Sequence, residues 1–271
     1  MAVVNTNTNA LFAQNALKVN NRNLSTAMEQ LSTGSRINSA KDDAAGMAIA
    51  STMTAQIGGL NQAVRNANDA ISMLQTAEGG MNDISNMLQR MRELAVQAAT
   101  GTYSSEQTGY LNTEFVALST QIANIASQTT WNGTNILDGT ASSVTIQVGA
   151  TADTTLTVSV ADSSASTLSV SGVTISSTSD ASDAMSTINA ALDTLNSARA
   201  TIGASINQLT YAADNMTSTV QNYAASRSQI ADTDYATATS NMARAQIIQQ
   251  AATAMLAQAN QTPQYVLALL K

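Results

Sequence analysis

The chain of 271 residues has no cysteine, no histidine, one proline and one tryptophan. Without cysteine there is no disulfide, no thiolate nucleophile and no sulfur-ligated metal. Without histidine the commonest general base and metal ligand is missing. Any Ser–His pair or His-Glu-x-x-His zinc site goes with it. No cofactor, metal or enzymatic activity is therefore expected. The pairs Asp42-Asp43 and Asp232/Asp234 imitate an acid/base dyad, but beside Arg36 and Lys41 they read as caps and ion pairs. Charged residues are only 11% and the net charge is −7. Such a chain lacks the clustered cations that nucleic acid or an anionic membrane surface requires. The opening residues Met1-Ala2-Val3-Val4-Asn5 carry neither the basic region nor the apolar run of a cleavable signal peptide. Residues 245–270 are uncharged, but Gln249, Gln250, Gln258, Asn260 and Gln261 interrupt them too often for a membrane span.

Hydrophobic residues are 44%, much of it alanine, which suits long helices lying close together. The clearest pattern covers residues 185–230. Met185, Ile188, Leu192, Leu195, Arg199, Ile202, Ile206, Leu209, Ala213, Met216, Val220, Tyr223, Arg227 and Ile230 recur alternately three and four apart. A period of about 3.5 keeps one narrow stripe facing a partner helix. As a single helix the stretch runs roughly 70 Å and cannot bury that stripe against itself. A second seam lies in 48–100, with Leu60, Val64, Ala67, Ile71 and Leu74, then Met81, Ile84, Leu88, Met91, Ala95 and Ala98. It is the natural antiparallel partner, and its pattern slips one step at Gly79-Gly80. Met81, Met87 and Met91 read as packing, not metal binding.

The flanking elements follow the same logic. Residues 6–34 read as a helix with Leu17, Leu24 and Leu31 seven apart and Gly34 as its stop. The polar stretch 35–46 reads as a spoke between helical units, with Ser39 or Asp42 as the next N-cap. Ser104 and Gln107 form a capping-box pattern ahead of a helix with Leu111, Phe115, Leu118, Ile122 and Ile125. Trp131-Asn132-Gly133 and Asp138-Gly139 are turn signals. The period then becomes two, at Val144/Ile146/Val148, Leu156/Val158/Val160 and Leu168/Val170, which predicts short strands between Ser and Thr. A second spoke is bracketed by Asp232 and Asp234. The last helix carries Met242, Ala245, Ile248, Ala252, Met255 and Ala259, stops at Thr262-Pro263 and leaves an apolar tail over 265–270.

The predicted architecture is mainly α: a long antiparallel coiled-coil bundle, a small strand region at one end, and N- and C-terminal helices brought together. The stripes on those terminal helices have no partner in the bundle, which points to assembly, with the termini ordering on polymerisation.

Several stretches closely resemble bacterial flagellin. Leu31-Ser32-Thr33-Gly34-Ser35-Arg36-Ile37-Asn38-Ser39-Ala40-Lys41-Asp42-Asp43-Ala44-Ala45-Gly46 is similar to its N-terminal signature, and Gln89-Arg90-Met91-Arg92-Glu93-Leu94-Ala95-Val96 to its second N-terminal block. Ala231-Asp232-Thr233-Asp234-Tyr235-Ala236, Asn241-Met242-Ala243-Arg244-Ala245-Gln246-Ile247 and Leu256-Ala257-Gln258-Ala259-Asn260-Gln261 resemble its C-terminal region. The resemblance covers about 1–140 and 180–271. The large outer domains of many flagellins are missing from the middle.

The resemblance implies a subunit that polymerises into the extracellular flagellar filament for swimming. A hook–filament junction-type or cap-associated axial protein, and a secreted coiled-coil adhesin or effector, remain as alternatives. It implies an inner-tube domain from 1–44 with 231–271, an outer-tube domain from 45–140 with 177–230, and the Ser/Thr-rich strands 141–176 outermost. Leu17, Leu24, Leu31, Met242, Ile248 and Met255 would form the polymerisation stripe, and Arg36, Lys41, Asp42 and Asp43 the spoke. Implied partners are other copies of the chain, an export chaperone with the flagellum-specific type III apparatus, and the filament cap and hook–filament junction proteins. Toll-like receptor 5 would read Gln89, Arg90, Leu94 and Glu114, and plant flagellin receptors the stretch 29–50, where Gln30 departs from the usual basic residue. Some flagellins carry O-linked sugar in the region holding Ser142, Ser143, Thr151, Thr154, Thr155, Ser163, Ser164 and Ser166; a bare surface is the alternative.

Overall fold

A computed structural model of the chain describes residues 6–268, with side chains described through residue 261. The order is α1 (Thr8–Thr33), α2 (Ala44–Ala98), α3 (Ser105–Gln128), β1 (Thr130–Trp131), β2 (Thr134–Asn135), β3 (Ser143–Gln147), β4 (Thr155–Ser159), α4 (Thr178–Ala231) and α5 (Tyr235–Ala268). The protein is mainly α, an antiparallel bundle of long helices with two small antiparallel hairpins and paired terminal helices. By backbone packing the chain divides into a terminal unit, Met1–Ala55 with Asn222–Lys271, and a central unit, Gln56–Gln221.

The central unit is held by the two seams. Leu74, Met81, Ile84, Leu88, Met91, Leu94 and Ala98 of α2 are fully buried, as are Phe115 and Ile122 of α3 and Ile188, Ile202 and Leu209 of α4. Each large side chain among them contributes about 1.5–3 kcal/mol by leaving water. Arg199 sits in the α4 seam at its expected heptad position, with Nη2 4.0 Å from Glu78 Oε1 on α2 and Nε buried. The α3 start is the capping box expected from the sequence: Ser104 N–H donates to Gln107 Oε1 at 2.9 Å and Gln107 N–H donates back to Ser104 Oγ. Helix α2 continues without a break through Gly79-Gly80. Gly80 is small for a packing reason, since a Cβ there would lie 2.7 Å from Leu137 Cδ1 and 2.9 Å from Thr129 Oγ1.

Asn132 and Gly133, both at positive φ, turn β1 tightly back into β2. Strands β3 and β4 pair with Val144 opposite Val158 and Ile146 opposite Leu156. Asn66 Nδ2 on α2 donates to the Gln147 carbonyl at 3.4 Å, which lays this hairpin on the helix. Leu168 and Val170 do not continue the strands. The Leu168 amide donates to Ser164 O and the Val170 amide to Ala165 O, around Ser169 at φ 57. Both side chains are nonetheless buried, because the turn throws two residues to the same side much as a strand does. Ser119 Oγ fixes this loop by donating to Val170 O at 3.0 Å. Ser163 is also buried, so it is not a surface hydroxyl; Ser142, Ser143, Thr151, Thr154, Thr155 and Ser166 are exposed and Ser164 is partly so.

Many exposed hydroxyls bond within their own helix. Thr52, Thr76, Thr120, Thr194, Thr201 and Thr217 each donate Oγ1–H to the carbonyl four residues earlier at 2.8–3.0 Å.

Candidate functional site

Helix α1 is bounded as its sequence indicates. Asn7 Oδ1 accepts from the Ala10 amide at 3.0 Å, and Gly34, at φ 71, returns its N–H to Gln30 O at the other end. Its inner face carries Ala10, Ala13, Leu17, Asn20, Leu24, Ala27 and Leu31, all buried or half-buried. The facing stripe of α5 is Ala238, Met242, Ala245, Gln249, Ala252, Leu256 and Ala259. The two helices run antiparallel, with Asn20 Nδ2 donating to Ala245 O at 2.8 Å and Asn7 Nδ2 to Ala259 O at 2.8 Å. Asn20 is almost fully buried; a polar side chain within an apolar seam fixes register, because any shift strands its amide.

The terminal helices are thus formed in the single chain, each covering the other's seam, which corrects the expectation that their stripes lack a partner before assembly. Leu17, Leu24, Leu31 and Met242 are half-covered in this pair, whereas Ile248 and Met255 are 44% and 65% exposed. Phe12, 78% exposed, joins them. Phe12, Ala16, Ile248, Ala252 and Met255 line an open apolar groove of 510 Å³ along the α1–α5 pair. Phe12 and Leu11 went unmarked in the sequence because they lie off the heptad stripe.

A second correction concerns Pro263. Helix α5 does not stop at Thr262-Pro263 but runs to Ala268. A proline has no N–H to offer the carbonyl four residues back; that carbonyl is Ala259 O, which accepts from Asn7 Nδ2. One asparagine therefore caps α1 with its oxygen and serves α5 with its nitrogen. Of the apolar tail expected over 265–270, the side chains, and residues 269–271 entirely, lie outside the described residues.

The two spokes meet. Ser35 and Asp232 form an isolated antiparallel bridge, with Arg36 N–H donating to Ala231 O at 2.6 Å and Thr233 N–H to Gly34 O at 2.9 Å. The Arg36 guanidinium donates to Ile230 O. The N-cap of α2 is Asp43, not Ser39 or Asp42: Gly46 N–H donates to Asp43 Oδ1 at 2.8 Å. Asp42 Oδ2 instead closes the preceding turn, accepting from the Ser39 hydroxyl at 2.9 Å and from the Ser39 and Asn38 amides. The Ser39 hydroxyl holds the Asp42 carboxyl below its ordinary pKa. Asp234 caps α5 as Asp43 caps α2, its carboxyl lowered first by the Thr237 hydroxyl at 2.7 Å and then by the Ala236 amide. Gly46 admits the turn itself, since a Cβ would meet Asp43 Oδ2 at 2.4 Å and Ile37 Cδ1 at 2.7 Å. Lys41 is exposed beside this turn.

In the central unit Arg90 is fixed by two carboxylates. Its Nε and Nη2 reach Glu114 Oε1 at 3.0 and 2.9 Å, and Nη1 reaches Glu93 Oε2 at 3.0 Å. Gln89, Arg90 and Glu114 are exposed, but Leu94 is 1% exposed and faces the core. Glu93, unmarked in the sequence reading, was visible there as an i, i+3 partner of Arg90.

Comparison with known proteins decides the family. Residues 4–142 match the model for the bacterial flagellin N-terminal helical region, and residues 185–270 match that for the C-terminal helical region. The chain belongs to the bacterial flagellin family. A flagellin of Xenorhabdus nematophila is 39% identical over 100% of this chain and 99% of its own. One from Halalkalibacterium halodurans is 40% identical over 99% and 100%. A flagellar filament 33 kDa core protein of Treponema phagedenis is 37% identical over 99% and 100%. The crystal structure of Bacillus cereus flagellin is 34% identical, covers 60% of this chain and 94% of its own, and superposes with a TM-score of 0.52. As a flagellin the chain is a structural subunit of the flagellar filament, and it assembles with copies of itself. It is a short flagellin lacking large outer domains. Among the described residues of this flagellin no helix is long and apolar enough to cross a membrane.

Proposed function

We propose that this flagellin polymerises through the α1–α5 pair, with residues 1–44 and 231–271 forming the inner tube, 45–140 and 177–230 the outer tube, and 141–176 its outermost surface. The observation that carries this reading is the apolar groove holding Phe12, Ile248 and Met255 in a unit whose own seam is already occupied. A neighbouring subunit that covers those three side chains contributes roughly 1–2 kcal/mol for each, repeated along the polymer. The spoke residues Arg36, Lys41, Asp42 and Asp43 hold the join to α2. The reading extends to secretion: the chain crosses the type III export apparatus with the help of a chaperone, and adds beneath the filament cap beyond the hook–filament junction proteins. An enzymatic role is not part of it, and the commitment of Asp42, Asp43 and Asp234 to turn and cap hydrogen bonds supports that.

We further read Gln89, Arg90 and Glu114 as the surface offered to Toll-like receptor 5, and 29–50 as that offered to plant flagellin receptors. Leu94 would contribute from beneath, by holding α2 in place. The deciding experiment is to heat purified filaments to monomers, cool, add fragments as seeds and image regrowth. Filaments are expected from the purified chain alone; a chain that adds only at filament ends, or none at all, would favour a junction-type axial protein.

A further inference from the structure

Sulfur is spread unevenly over this surface. In the central unit Met73, Met81, Met91 and Met216 are buried, and Met87 and Met185 are half-buried. Met28, Met47 and Met255 are exposed at 50%, 37% and 65%, and all three belong to the terminal unit. Of these three, Met255 is the one that lines the apolar groove, beside Phe12, Ile248 and Ala252. A thioether is apolar while reduced and adds to the groove's surface. At this exposure it is also open to reagents from solution.

We propose that Met255 is an oxidation site that governs assembly, the reagent being a peroxide. The inference rests on the assembly reading above. A lone pair on Sδ attacks one peroxide oxygen, and the S–O bond forms as the O–O bond breaks. With hydrogen peroxide the departing hydroxide takes the remaining proton and leaves as water. Sulfur loses two electrons and the peroxide gains them. The product sulfoxide is a strong hydrogen-bond acceptor. In the free subunit it stays hydrated, but a neighbour closing over the groove must strip that water and press it against Phe12, Ile248 and Ala252; the amides of Asn9 and Gln258, which also line the groove, must themselves leave water to serve it. In the finished polymer the same contact shields the thioether. Peroxide therefore acts on subunits awaiting assembly and spares the filament.

The test uses full-length wild type, Met255→Leu and the double variant Met28→Leu/Met47→Leu. Each is exposed to hydrogen peroxide as monomer and as filament, oxidation is located by peptide mass spectrometry, and seeded regrowth is then measured. Met255 is expected to oxidise well before Met81 and Met91 in monomers and to stay reduced in filaments. Oxidised wild type and the double variant should need about tenfold more protein to grow, equivalent to about 1.4 kcal/mol per subunit. Oxidised Met255→Leu should grow like its untreated form. Should Met255→Leu fail to grow untreated, reduction of oxidised wild type by methionine sulfoxide reductase decides, and recovery is expected. Equal growth of oxidised and untreated wild type, equal inhibition of Met255→Leu, or no recovery on reduction overturns the proposal. If untreated wild type itself does not grow from seeds, the assembly reading falls and this one with it.

Discussion

The double use of Asn7 allows a sharp prediction. Its Oδ1 caps α1 at Ala10 N–H and its Nδ2 bonds the Ala259 carbonyl, four residues before Pro263. Replacing Asn7 by Ala removes both bonds, a loss of about 2 kcal/mol from a cap of about 1 and a hydrogen bond of about 1. Replacing it by Ser keeps a capping oxygen and loses only the bridge, about 1 kcal/mol. The assay is native-state hydrogen exchange of the amides of residues 10–13, where such losses appear as roughly thirtyfold and fivefold faster exchange. Asn7→Ser exchanging like Asn7→Ala would refute the reasoning.

Three further outcomes are expected. Gly79→Ala meets open space and should stabilise the central unit by up to about 1 kcal/mol, whereas Gly80→Ala drives a methyl into buried Leu137 and should destabilise it; thermal melts with the same sign for both would be contrary. Asp42 and Asp234 have carboxyls depressed below 3.8, so their contribution is present above that value and fades as pH falls through the lower folded-state values. Acid titration of Asp42→Asn/Asp234→Asn, followed by circular dichroism, should therefore give a less stable protein at neutral pH with a shallower acid limb; an unchanged limb would count against the role given to these turns. Deleting 237–271 should abolish filament growth while leaving the central unit helical, because the buried part of its seams, Leu60 to Ala98 and Ile188 to Met216, lies within Gln56–Gln221; filaments from the truncated chain, or loss of the central helical signal, would contradict this.

The elements that announced themselves in the sequence are those whose cause is local. Gly34, the Ser104–Gln107 box and the Asn132-Gly133 turn each need only their neighbours in sequence. The long seam was legible because every seventh residue from Ile188 to Met216 is buried, a periodicity that survives whatever partner it meets. What stayed hidden depends on distant residues. Asn7 on α1 donates to Ala259 O on α5, and Leu168 and Val170 are buried by a turn that imitates alternation. Asp42 and Asp43 stand side by side, and only the geometry of the turn decides which one caps. At the candidate site the stripe was readable, but its division into Leu17, Leu24, Leu31 and Met242, shared with the neighbouring helix, and Ile248 and Met255, left outside, follows from how the helices face each other. Leu94 illustrates the converse: its neighbours Arg90 and Glu93 are on the surface, and one further step round the helix turns it inward.

The inward-bonding hydroxyls of the long helices have a consequence for hydration. A threonine whose Oγ1–H already rests on its own helix, as at Thr52, Thr194 and Thr217, has its donor satisfied before any neighbour arrives and shows solvent its methyl group. Water over such a face can still donate to the hydroxyl oxygen but finds no free O–H to accept from. When two such faces close on each other, few strong water contacts have to be surrendered, and those methyl groups fit like alanines. Long helices with little charge can in this way stay wettable alone and still shed water readily when laid side by side.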